Sequence, residues 1–187
     1  RPVSEGARKD FAWGLDRFRQ EARMLGALDH PNIVRVLNFV EANGTAYTVM
    51  EHVEGEGLEK RLLRQPVLKA AEIAALLPGL LAGLEAVHAA GMLHRDIKPE
   101  NVILKPNGQP VLIDFGAARQ AFGSRSLTAV LSEGYAPYEQ YDEHGNQGPW
   151  TDVYALGGLL YRCVAGERPV TALRRIEARV KGKNDPL

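Results

Sequence analysis

The stretch "HRDIKPEN", residues 94–101, packs three cations or potential cations, two acids and an amide into eight positions. It follows directly on an alanine- and leucine-rich run, "LLAGLEAVHAAGML", residues 80–93. Within and before that run, Ile73, Leu76, Leu77, Leu80, Leu81, Leu84, Val87 and His88 recur at i, i+3, i+4 and i+7. That spacing predicts one long helix with a single apolar face, bent at Pro78 and ended by Gly91 as a C-cap. A loop that merely connects two elements has no need of His, Arg, Asp, Lys and Asn at fixed positions. The cluster therefore marks a candidate site at the exit of a core helix.

Working outward, residues 1–15 carry Gly, Pro and charge and predict an irregular lead-in. "DRFRQEARMLGAL" places Phe18, Ala22, Leu25 and Leu28 on one helical face, with Asp16 in its first turn. Pro31 then disfavours helix at His30 and stops it. "IVRVLNFV" and "TAYTVM" are β-rich runs around an Asn-Gly pair, a strong hairpin signal. "VEGEGL" predicts a turn. Beyond residue 101, "NVILK" and "PVLIDF" flank "PNG" and predict a second hairpin. A polar segment from Gly116 to about Gln147 follows. "WTDVYALGGLLYRCVAG" predicts a buried helix, apolar nearly all round, with Gly157 and Gly158 allowing close contact. "TALRRIEARVKG" predicts a basic, exposed final helix. The order gives an α+β fold, mostly helical in its second half.

Composition bounds the function without naming it. The chain has 187 residues, 45% hydrophobic and 25% charged, the profile of one ordinary globular domain. Lys+Arg and Asp+Glu balance at 23 each, so no net field points to nucleic acid or an anionic membrane. A single cysteine, Cys163, rules out an internal disulfide, fits a reducing compartment such as the cytoplasm, and reads as an inert core thiol. There is no run of eighteen apolar residues and no signal peptide, so no membrane segment is expected. Arg1 and the ending "KNDPL" read as the ends of a segment cut from a longer protein. His30, His52, His88 and His144 lack metal-ligand spacing and read as structural or surface residues.

The cluster gains meaning from "DFG", residues 114–116, which begins eighteen positions after Asp96 at a strand end. Asp96 and Asn101 lie five apart, with Lys98 between them. Two carboxylates and an amide converging from neighbouring hairpin ends suit a hard cation held by oxygen, above all Mg²⁺. Asn101 and Asp114 would be its ligands. Asp96 is then free to orient a hydroxyl and accept its proton, and Lys98 can neutralise charge on a phosphoryl group in transfer. These are the parts that in-line phosphoryl transfer requires.

With these residues in place, the chain resembles the eukaryotic-type protein kinases, and more closely the bacterial serine/threonine kinases, from about Asp16 to Pro169. "HRDIKPEN" resembles the catalytic loop, with Lys98 in its serine/threonine form, and "DFG" the magnesium motif. "GYAPYEQ" resembles the segment closing the activation loop, with Glu139 as its acid. "TDVYALG" resembles the buried helix whose Asp, here Asp152, anchors the catalytic loop. "FRQEARML" resembles the C helix with Glu21 as its ion-pair acid. "YTVMEHVEG" resembles the strand and hinge that hold adenine, with Met50 as gatekeeper and Glu51 to Val53 as hinge. The resemblance further implies Ile103 beneath adenine and Leu25, Val36, His94 and Phe115 stacked as a spine. It gives Arg95 the role of receiving a phosphate from the activation loop, with Thr128 the preferred acceptor over Ser124 and Ser126. ATP and Mg²⁺ are the implied cofactors, and a protein Ser or Thr the implied substrate.

The resemblance also defines what is missing. The family's Gly-rich loop and strand lysine are not found in the fifteen residues before Asp16, and Lys9 lies in no strand pattern. The last helices, with the Arg that pairs with the acid at Glu139, are expected beyond the chain. "SEG", residues 132–134, stands where relatives read Thr-Pro-Gly, with Ser132 keeping the hydroxyl. The expected organisation is thus a lead-in at 1–15, a small-lobe remnant at 16–53 and an incomplete large lobe at 54–187. Two functions stay open. One is a serine/threonine protein kinase, weakened in isolation by the missing loop and lysine. The other is an inactive kinase-fold binding or scaffold fragment.

Overall fold

The computed structural model of the chain describes residue 19 and residues 22–43, 45–115, 131–142 and 144–187. Asp16, Phe18, Glu21, Gly116, Ser124, Ser126 and Thr128, and the lead-in at 1–15, lie outside the described residues. Residues 22–26 are helical and bury Ala22 and Leu25. The chain then turns at His30–Pro31 and docks on what becomes the central hairpin. Val34 N–H donates to Leu112 O at 2.9 Å, and Leu112 N–H donates to Asn32 O at 2.8 Å. The buried Asn32 amide donates to Pro110 O at 2.7 Å. Ile33 and Val34 are therefore spent on this docking, and the first strand begins later than the β-rich run suggests.

That strand, β1 (Val36–Ala42), pairs antiparallel with β2 (Thr45–Met50). Ala42 faces Thr45 across the two-residue Asn-Gly loop, and Asn43 takes φ +56°, as a primed hairpin turn requires. The second sheet has three strands rather than two. β3 (Glu56–Gly57) lies inside the stretch read as a turn and pairs with β4 (Val102–Leu104), which pairs with β5 (Pro110–Leu112). Directly after β3 comes α1 (Leu58–Arg64), also absent from the sequence reading, with Leu58 and Leu62 fully buried.

The long helix, α2 (Ala70–Ala89), runs continuously across Pro78. Glu72 accepts from the Lys69 N–H at 2.9 Å and closes its first turn. Its far end is a Schellman cap. Gly91 takes φ +72°, its N–H reaching His88 O at 2.9 Å, while Met92 N–H reaches Val87 O at 3.1 Å. The Leu76, Leu80, Leu84, Val87 face sits in the main core with Ile97, Val102, Leu112, Leu156 and Leu159. Among the described residues α2 is the one helix long and apolar enough, by length and composition, to cross a membrane.

The helix α3 (Pro149–Ala165) corrects an expectation. It is buried on one face only, and Trp150, Val153 and Val164 are more than half exposed on the other. A helix packed against a single layer can hide only one stripe. That stripe contains the polar residues Asp152 and Arg162, both with partners: Arg162 donates to Pro66 O at 3.1 Å. Of the paired glycines, Gly158 abuts Tyr135, whereas Gly157 faces open space. The last helix, α4 (Ala172–Val180), is capped by Thr171 Oγ1 and exposes most of its surface, as its basic sequence predicts.

Candidate active site

The Schellman cap of α2 turns the chain straight into residues 94–101, so the helix end fixes where the polar loop begins. From the other side, Asp152 in the first turn of α3 grips it. This fully buried carboxylate accepts His94 N–H at 2.9 Å on Oδ2 and Arg95 N–H at 2.7 Å on Oδ1. His88, in the last turn of α2, places Nε2 2.8 Å from Asp152 Oδ2. One carboxylate thus ties the core helices α2 and α3 to the loop between them.

The loop itself is bent sharply. Arg95 takes φ +64°, a left-handed conformation uncommon for a residue with a side chain. Its carbonyl accepts from Gln140 Nε2 at 2.9 Å, and the next amide, Asp96 N–H, donates to His94 Nδ1 at 3.3 Å. The His94 ring stacks on Phe115 with centroids 4.4 Å apart. Complete burial lowers the His94 pKa, against the opposing pull of Asp152, Asp96 and Asp114. A neutral imidazole is what an Nδ1 acceptor requires. Leu25, Val36 and Phe115, expected in one stack with His94, all belong to the main core.

The chemistry converges on Asp96, which is buried with all its oxygens engaged. Ser132 Oγ donates to Asp96 Oδ1 at 2.7 Å and accepts from Lys98 Nζ at 3.0 Å. Lys98 Nζ also lies 3.2 Å from Asp96 Oδ2. Asn101 Nδ2 donates to Asp96 O at 2.8 Å and Asp96 Oδ2 at 2.7 Å. The sequence marks Ser132 only as a retained hydroxyl; its place between Asp96 and Lys98 comes from the structure. The signal was the motif position itself, two residues before the glycine of "SEG".

Asn101 and Asp114 are neighbours, since Asn101 Nδ2 lies 3.5 Å from Asp114 O. Because the Asn101 nitrogen is committed to Asp96, its Oδ1 is the atom left to accept. Asp114 is exposed at the end of β5, in a left-handed conformation with φ +58°. An amide oxygen and an exposed carboxylate on adjacent strand ends are the hard donors that fit a divalent cation completed by water and phosphate oxygens. Among the described residues no cluster of three His, Cys, Asp or Glu side chains could hold a metal by itself.

The residues expected around a nucleotide base are only partly assembled. Val53 and Ile103 belong to one small cluster with Val34, Val111 and Ile113. Glu51 is exposed and its N–H donates to Arg35 O at 2.9 Å, which extends the pairing one residue past β2. Met50, the expected gatekeeper, is 41% exposed at the end of β2. Glu139 accepts from the buried Thr151 hydroxyl at 2.9 Å, so within this chain its carboxylate has a partner on α3. Glu21 and Thr128 lie outside the described residues.

Comparison with known proteins agrees with this geometry. The family model described as protein kinase domain matches residues 4–184, further at both ends than the motifs alone reach. The serine/threonine-protein kinase PknA of Mycobacterium tuberculosis is 36% identical over 180 residues, covering 92% of this chain and 42% of that protein. Kinase pkn2 of Myxococcus xanthus is 38% identical over 163 residues, 82% of this chain and 19% of its own length. The chain therefore spans about two-fifths or less of these relatives. Among solved structures, the apo form of PpkA-294 superposes with a TM-score of 0.80 at 39% identity, over 99% of this chain and 65% of that one. Rad53 residues 1–466, solved with AMP-PNP, gives 0.64 at 25% identity, over 82% and 39%. With the family model matched over residues 4–184, the chain belongs to the protein kinase family.

Proposed function

We propose that this chain provides the catalytic core of a serine/threonine protein kinase, moving the γ-phosphate of ATP to a Ser or Thr hydroxyl of a protein. The observation that carries the reading is the Asp96 carboxylate held by Ser132 and Asn101 with Lys98 Nζ at 3.2 Å. Asp96 orients the acceptor hydroxyl and takes its proton as the oxygen–phosphorus bond forms and the bond to the β-phosphate oxygen breaks, releasing ADP. Lys98 offsets the charge on the equatorial oxygens. Asn101 Oδ1 and the Asp114 carboxylate would hold Mg²⁺, which supplies charge neutralisation on the phosphates. Val53 and Ile103 offer apolar contact to the adenine, with Met50 and Glu51 beside it. Arg95 would receive a phosphate carried by Thr128, and Glu21 would serve as the ion-pair acid. A cytoplasmic location belongs to the same reading, because that is where ATP is abundant.

The test is ATP binding with Mg²⁺ by calorimetry, on the chain and on Asp114→Ala, followed by phosphoryl transfer with Asp96→Asn. Binding that Asp114→Ala loses, and transfer that Asp96→Asn lowers by roughly 10²–10⁴-fold, support the reading. Binding by neither protein overturns it in favour of a kinase-fold binding module.

A further inference from the structure

We propose that Gln140 is a positioning residue for Asp96, fixing the Arg95–Asp96 peptide plane in the orientation that aims the carboxylate at the acceptor hydroxyl. The inference rests on the reading of Asp96 as proton acceptor. It starts from a backbone anomaly. Arg95 sits at φ +64°, which a side-chain-bearing residue keeps only where its surroundings over-determine it. The preceding peptide is held by Asp152, which accepts Arg95 N–H at 2.7 Å. The following peptide unit, Arg95 C=O with Asp96 N–H, carries the Asp96 Cα and so sets where its carboxylate points. Two contacts from the described residues act on that unit: the 2.9 Å bond from Gln140 Nε2 to the carbonyl and the long, 3.3 Å contact from its N–H to His94 Nδ1. The shorter and better-formed of the two comes from Gln140.

Gln140 is built for this reach. It is 8% exposed, and it lies in the short helical turn Tyr138–Tyr141, where its own N–H donates to Pro137 O at 3.1 Å. Its neighbour Glu139 is pinned to α3 through Thr151, so the turn cannot drift away from the loop. A glutamine amide is the group this position needs, because it donates to a buried carbonyl without bringing a charge. The same segment, residues 131–142, also carries Ser132, which bonds the Asp96 carboxylate directly. One stretch of chain thus sets both the side chain of Asp96 and the peptide beneath it, and its ordering aims the base. Without the amide, the carbonyl loses this donor, the plane is less restrained, and Arg95 can relax. The Asn101 backbone is held independently, its N–H donating to Lys98 O at 3.0 Å and its carbonyl accepting Ile113 N–H at 2.9 Å, and Asp114 lies on the far side of the hairpin, so nucleotide affinity should change little.

Two variants test this: Gln140→Met, of similar length without a donor, and Gln140→Glu, of the same shape but a donor only when protonated. Amide hydrogen exchange at residues 94–97 reads the restraint whether or not the chain is active. In Gln140→Met, exchange at Arg95 and Asp96 should accelerate by about tenfold, with α2 protection and Tm little changed. In steady state, kcat should fall roughly ten- to a hundredfold with KM for ATP within about twofold. Gln140→Glu should share the defect at pH 8 and recover as pH falls towards 6, because a buried carboxyl protonates at raised pH and then donates. Unchanged exchange at 94–97, or acceleration spread evenly over the whole chain, overturns the proposal. If the wild type binds ATP but transfers nothing, the kinase reading fails, and the exchange result still decides the role of Gln140.

Discussion

Ser132 accepts from Lys98 and donates to Asp96, so its hydroxyl bridges the pair to which the proposed function assigns the chemistry. Hydrogen bonds to charged groups contribute about 1.5–3 kcal/mol, which corresponds to roughly ten- to a hundredfold in rate if expressed in the transition state. Ser132→Ala should therefore lower kcat by that factor, and Ser132→Thr, which keeps the hydroxyl, should restore it; single-turnover transfer measures both. His94 makes a prediction of a different kind. Its folded pKa lies below the ordinary histidine value of 6.5 because burial disfavours the imidazolium. Below that pH the unfolded chain takes up a proton that the folded chain does not, so this contribution is fully present above 6.5 and is lost as pH falls through it. The loss approaches about 1.4 kcal/mol per pH unit for one group. Urea titrations at pH 7.5 and 5.5 should show a drop in unfolding free energy that His94→Phe reduces. That Asp96, Asn101, Asp114 and Asp152 gather around one loop is legible in the sequence, because the motif strings fix both identity and spacing. That Gln140 bonds Arg95 is not, because a bond across 45 positions of chain leaves no periodic mark.

At the scale of elements, what could be read depended on length. α2 spans 20 residues and repeats its apolar face over five turns, so periodicity and the Gly91 cap defined it. α1 spans seven residues and β3 two, too few for a period to stand out, and β3 exists only because β4 offers it an edge. The burial of α3 was overestimated because hydrophobicity counts residues without knowing how many layers surround them. The sharpest element-level constraint is the join between residues 132–136 and the loop after α3. Gly134 has φ +84°, and a Cβ there would lie 2.4 Å from Pro169 O and 3.0 Å from Arg168 Cγ. Arg168 in turn lies over the Tyr135 ring at 5.9 Å and 3.6 Å from Glu100, so this join borders the polar loop at 94–101. Gly134→Ala combines a left-handed penalty with a collision against backbone, and should destabilise by at least about 2 kcal/mol. For a chain of this size Tm should fall by about 4–8 °C, read by calorimetry. Gly157→Ala, facing open space on α3, is the control and should leave Tm unchanged or slightly raised.

For the whole molecule, the weak point is the β1–β2 hairpin, which among the described residues pairs with no further strand. Val40 lies opposite Tyr47 and Asn38 opposite Val49, two pairs apart by one step of the pleat, so Val40, Tyr47 and Val49 share a face. All three are exposed, as are Leu37 and Met50 nearby. A two-stranded ribbon is marginal alone in water, and open strand edges beside apolar side chains template pairing between copies. Charge offers no protection, because the formal net charge is zero at pH 7 and the isoelectric point is about 7.2. A protein without net charge lacks the repulsion that keeps collisions unproductive. The chain should therefore self-associate near neutral pH at concentrations where a charged domain of equal size stays monomeric. Light scattering after size exclusion, run from pH 6 to pH 9, should show the association weakening away from pH 7. The double variant Val40→Lys and Val49→Lys adds two positive charges to the exposed face without touching the site, and should shift the distribution to monomer with Tm within about 2 °C. A wild-type chain that elutes as a monodisperse, cooperatively melting monomer at pH 7 would show that the hairpin edge is covered from within the chain.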